Sequence, residues 1–137
     1  MEKLIVSACL LGANCQYDGK NSFSKDILSL LENKQIIAIC PEILGGLKVP
    51  RSACNIVGSE AKVIGADGAD YTKEFILGAK KVLEIVKENK IEIAYLKQRS
   101  PSCGCGEIYS PDGKTLIKGN GILAELLLAN GVEVRSL

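Results

Sequence analysis

Apolar residues along this chain recur with two different periods. Short, mostly apolar runs at Leu4–Ala8, Ile36–Ile39 and Ile91–Leu96 read as strands, the second apolar throughout, as expected for a strand covered on both faces. A further run at Val132–Arg135 closes the set, and a weaker strand candidate lies near Ala61–Ile64. Between the strands the period lengthens. From Lys73 to Asn89, Phe75, Ile76, Ala79, Val82, Leu83 and Val86 recur at helical spacing, with Lys and Glu on the opposite face and Asp70 or Thr72 as the cap. A shorter helix is predicted over Lys25–Asn33, capped by Ser24 and burying Ile27, Leu28, Leu30 and Leu31. Another covers Ile122–Ala129 and stops at Asn130–Gly131. Glu107–Tyr109 and Thr115–Ile117 flank the turn sequence SPDGK as a small hairpin. Alternating strands and helices predict an α/β fold: a single Rossmann-like, three-layer domain over residues 1–137 with a mostly parallel sheet.

One stretch fits neither period. Pro41 to Tyr71 is irregular apart from the weak strand near Ala61, and a loop of that length in a compact domain is usually functional.

Composition narrows the partners. Seventeen basic against sixteen acidic residues leave a net charge of +1, with neither sign dominating any window. That balance argues against an extended nucleic-acid or membrane-surface footprint while leaving room for one small nucleobase or nucleotide. No apolar run approaches the roughly 20 residues that span a bilayer. The opening MEKLIVSACLLG has a short apolar core and runs into NCQYDG rather than a small-residue cleavage site, so it reads as a strand and the protein is expected in the cytoplasm.

Cysteine changes the picture most. The chain has six, Cys9, Cys15, Cys40, Cys54, Cys103 and Cys105, and no histidine. Without an export signal, a disulfide framework gives way to metal ligation or thiol chemistry. Zinc sites usually show CxxC pairs or histidine, and neither is present, so iron–sulfur ligation gains on zinc. On the predicted map Cys9 and Cys40 end the first two strands, and Cys103 lies just past the third. The carboxyl ends of parallel strands share one rim, where ligands bind. Glycines beside these cysteines, Gly45–Gly46 and Gly104 among them, are expected to let backbone N–H groups approach sulfide.

A 4Fe–4S cluster held by three cysteines leaves one iron open as a Lewis acid toward a substrate. Polar groups beside the thiols would then carry the proton chemistry. Glu42, two residues after Cys40, is the first candidate, and Ser100 and Ser102 flank Pro101 just ahead of Cys103. Arg51 orients a substrate oxygen or pairs with a carboxylate. Asp18 and Gly19 read as a turn.

SACLLG followed by YDG, then CPEILGGLKVPR, then LKQRSPSCG resemble the thiouracil desulfurase family, and the likeness extends through YTKEFILGA to the closing GNGILAELLLANGVEV. The resemblance implies a cytoplasmic iron–sulfur enzyme that replaces the sulfur of a thiolated pyrimidine, as free base or nucleoside, with oxygen and releases hydrogen sulfide without net redox change. It implies a 4Fe–4S cluster on Cys9, Cys40 and Cys103, with Glu42 and Ser100 assisting proton transfer and attack by water. Arg51 and Ser102 are expected at the substrate.

This chain departs from that pattern after Pro50–Arg51. Relatives commonly carry a Pro-rich segment ending in Glu there, whereas this chain has SACNIVG, which brings in Cys54. Cys15, Cys54 and Cys105 have no assigned role at this point, and Cys54 stands open as a fourth ligand. Two other classes remain: a thiol-exchange or sulfur-carrier protein using Cys103 and Cys105, and a non-catalytic metal- or nucleotide-binding module.

Overall fold

A computed structural model describes residues 1–137. Its centre is a four-stranded sheet in the order β2-β1-β5-β8, formed by Lys3–Ser7 (β1), Gln35–Ile39 (β2), Ile93–Leu96 (β5) and Glu133–Ser136 (β8). All three pairings are parallel, in the registers Leu4 with Ile36, Leu4 with Ile93, and Ile93 with Glu133.

Successive side chains of a strand point to opposite faces. Ile5 of β1 and Ala94 and Leu96 of β5 therefore join a core with Ala79, Val82 and Val86 of α3 (Thr72–Asn89) and Leu123, Ala124 and Leu127 of α4 (Ile122–Ala129). Leu4, Val6 and Tyr95 point the other way and pack with Leu10 and with Ile27 of α1 (Asp26–Leu30). Helices cover both faces, which gives the expected three layers.

The chain leaves β1 toward β2 on one side and returns, by way of α3, to pair β5 with the other side of β1. Strand order reverses at β1, and a crevice opens at the carboxyl end of such a switch point. Cys9 lies in the short 3-10 turn Ala8–Leu11 directly after β1, and Cys40 directly after β2.

The stretch expected to be irregular is instead built. Pro41–Leu44 forms α2, with Pro41 at the first helical position and Glu42 in the first turn. Cys54–Val57 (β3) and Lys62–Gly65 (β4) form an antiparallel hairpin, pairing Cys54 with Gly65. The second hairpin, Glu107–Tyr109 (β6) with Leu116–Lys118 (β7), stands where the turn sequence puts it.

Other expectations need correction. Gly45 does not serve an approaching sulfide: it packs on α3, where a Cβ would run into the Glu74 carbonyl, and Gly78 of α3 meets the Pro41 carbonyl in the same way. The first helix is five residues long and has no side-chain cap from Ser24. Leu28 and Leu30 are exposed rather than buried, and so is Ile76 of α3. The N-cap of α3 is Tyr71 rather than Asp70 or Thr72, and Asp70 Oδ1 accepts from the Thr72 N–H at 2.8 Å just ahead of the helix.

Candidate active site

A cleft of about 640 Å³ opens at the carboxyl edge of the sheet. Cys9, Cys40 and Cys103 line it, together with Glu42, Arg51, Ser100 and Ser102. Residues from three separate regions of the sequence thus meet because parallel strands end on one rim.

Glu42 is held at both oxygens. Arg51 Nε donates to Oε1 at 2.9 Å, and Ser102 Oγ donates to Oε2 at 2.8 Å. The Arg51 side chain is only 8% exposed, and its other nitrogens donate to the Lys48 carbonyl at 3.2 Å and the Cys15 carbonyl at 2.7 Å. Each guanidinium nitrogen thus makes one bond within the protein, and Arg51 pairs with the carboxylate.

The two serines form one line with Glu42. Ser100 Oγ accepts from the N–H groups of Ser102 at 3.1 Å and Cys103 at 2.8 Å, and stands 3.0 Å from Ser102 Oγ. Because Ser102 donates to a carboxylate that can only accept, the proton between the serines belongs to Ser100. The polarity runs Ser100 to Ser102 to Glu42. Ser102 is 3% exposed and fully engaged by these neighbours.

The thiols differ in setting. Cys103 is 4% exposed, and burial pushes it up to about 12. Burial also raises Cys9. The nearby Cys40 adds to the rise at Cys9, and Cys9 adds to that at Cys103. Ser7 Oγ donates to Cys103 Sγ at 3.5 Å. A buried thiol with a raised pKa is the opposite of the low-pKa nucleophile that thiol exchange at Cys103 requires.

The remaining cysteines separate from one another. Cys15 lies beside Cys40, whose Sγ donates to the Cys15 carbonyl at 3.9 Å, and burial with the Cys40 thiol as neighbour pushes Cys15 up to about 12. Nothing in the sequence marks that proximity, since the two are 25 residues apart. Cys54 lines the cleft on its carboxylate side. It donates to the Ser52 carbonyl at 3.5 Å, and burial, then Glu42 and Asp67, push it up to about 11. Cys105 is not in the cleft and packs against the main core. Lys97 and Arg99 line the mouth, with Arg99 3.9 Å from Glu107.

The donor set fits a cluster better than a lone ion. No three Cys, Asp or Glu side chains converge on one point as a single metal ion would need. Thiols are soft ligands suited to iron–sulfur centres, and a cubane takes its ligands at separate corners, so separate thiols around one cleft suit it.

Fold and cleft together define a parallel α/β protein with a thiol-lined site and a clamped carboxylate at its switch point. The 2-thiouracil desulfurase family model matches residues 4–136, and the chain belongs to that family and is an enzyme of its type. Among solved structures it is similar to the [4Fe-4S]-dependent thiouracil desulfidase TudS, with a TM-score of 0.91 and 38% identity over 99% of this chain and 91% of that one. It is also 38% identical to the uncharacterized protein YbbK of Bacillus subtilis (strain 168), over 97% of this chain and 94% of that protein.

Proposed function

We propose that this enzyme converts a thiolated pyrimidine of the thiouracil or thiouridine type to its oxo form, with a 4Fe–4S cluster held by Cys9, Cys40 and Cys103. The reaction balances without an oxidant or reductant: water supplies the oxygen, and the sulfur leaves as hydrogen sulfide. The observation that carries the reading is that the three thiols line the same cleft as a carboxylate fixed at both oxygens. Family membership and the likeness to TudS support it.

A three-cysteine cluster supplies Lewis acidity toward the substrate sulfur. The chain's own residues supply the rest. Glu42, paired with Arg51, acts as the base that takes a proton from the attacking water, and Arg51 fixes its direction. Ser100 and Ser102 form a hydroxyl line into Glu42 Oε2, along which a proton passes between the substrate and the carboxylate. Ser100 is the end of that line nearer the substrate. Arg51 acts by positioning Glu42, and Ser102 both holds Glu42 and carries the proton to it. Cys54, with its thiol on the Ser52 carbonyl, stays outside the ligand set and borders the substrate.

The test is anaerobic cluster reconstitution followed by incubation with 2- and 4-thiouracil and their nucleosides, with sulfide assayed. Sulfide is expected from the wild type and should fall by about 10²–10⁴-fold in Glu42→Ala. A fully loaded cluster that releases no sulfide from any of these compounds contradicts the reading.

A further inference from the structure

We propose that Ser7 is a positioning residue that donates a hydrogen bond to the Cys103 sulfur and so sets the electron density on the iron that Cys103 holds. This rests on Cys103 being a cluster ligand, as proposed above.

Hydrogen-bond accounting fixes the direction. Ser7 is the last residue of β1 and 3% exposed. Its Oγ accepts from the Lys97 N–H at 3.0 Å, directly after β5, so its own proton needs a different acceptor. That acceptor is Cys103 Sγ at 3.5 Å. Ser102 Oγ lies 3.6 Å from the same sulfur, but its proton is committed to Glu42 Oε2 at 2.8 Å. Ser7 is therefore the hydroxyl whose proton belongs to Cys103. It stands on a central strand of the sheet, ninety-six residues from its acceptor, so the contact is held by the sheet rather than by a mobile loop.

A hydrogen bond to a thiolate draws negative charge off the sulfur. The sulfur then donates less to iron, the more electron-rich reduced state of the cluster gains, and the reduction potential rises. The same shift keeps iron a stronger Lewis acid. Ser7 performs no proton transfer in this scheme.

A purely structural alternative exists: Ser7 ties β1 to β5 through the Lys97 N–H and does nothing more. Three variants of the reconstituted protein separate the two. In Ser7→Ala the reduction potential should move to a more negative value. The Fe–S(Cys) stretch in resonance Raman should move to higher frequency. Ser7→Thr keeps the hydroxyl and should restore both. Ser7→Cys keeps only a weak donor and should have a potential below the wild type; it is the decisive variant if Ser7→Ala does not fold. Cys103→Ala calibrates the premise. If it loses the cluster while Ser7→Ala, or Ser7→Cys in its place, keeps the wild-type potential and stretch, the Ser7 inference is overturned and the ligand assignment stands. If Cys103→Ala keeps a complete cluster with an unaltered spectrum, the ligand assignment fails and takes the Ser7 inference with it.

Discussion

Glu42 owes its position to donors on two distant segments, Arg51 beyond α2 and Ser102 in the loop after β5. A carboxylate so fixed needs little reorganisation when it receives a proton, and small misplacements of such groups cost rate by up to about 10²-fold. Arg51→Ala should therefore lower kcat by roughly 10–100-fold while KM changes little, as steady-state sulfide release on thiouracil would show. An unchanged kcat would mean that the clamp is dispensable. At this scale the sequence was informative where chemistry is concentrated. Cys9, Cys40, Cys103 and Glu42 stand out by residue type and by their places after predicted strands. Ser7 does not, because what distinguishes it is which distant atoms it touches, and a serine at a strand end carries no mark of that.

At the level of elements, the site depends on how α2 is seated. This four-residue helix carries Glu42 and follows Cys40, and it approaches α3 through Gly45 and Gly78 with backbone nearly on backbone. A methyl group at either glycine must push the two helices apart. Gly78→Ala is expected to destabilise the fold by about 1–3 kcal/mol and to lower the iron retained after reconstitution, measured by thermal melting and by iron assay on the same sample. Full stability with full iron would show that the contact is slack. The long, strongly periodic α3 was legible in the sequence, as were the parallel strands. Helix α2 and strand β3 were not: four residues are too few to display a helical period, and CNIV gains its strand character only by pairing with β4. The exposed Leu28 and Leu30 of α1 show the opposite failure, where apolar residues were assigned to a face that a five-residue helix does not bury.

For the molecule as a whole, parallel strand order turns a scattered set of residues into one cleft. No helix is long and apolar enough to cross a membrane. Several surface carboxylates tie its turns together. The carboxyl of Asp67 is lowered chiefly by the Tyr71 hydroxyl, that of Asp70 by Thr72 and that of Asp112 by Ser110. A carboxyl whose pKa is lower folded than unfolded binds its proton more weakly when folded. Its contribution is therefore present above the unfolded value near 3.8 and is lost as the pH falls through the folded one. The melting temperature should accordingly decline on acidification below about pH 4, and Asp70→Asn should flatten that decline. An identical slope in the variant would remove Asp70 from the account.

The central claim is that three strand-end thiols, and no others, organise this site. It is tested most directly by counting iron after anaerobic reconstitution of the six single Cys→Ala variants. Cys9→Ala, Cys40→Ala and Cys103→Ala should lose the cluster, while Cys15→Ala, Cys54→Ala and Cys105→Ala should keep the wild-type iron content. Loss of iron in Cys54→Ala or Cys15→Ala, or a full cluster in any of the first three, would contradict it.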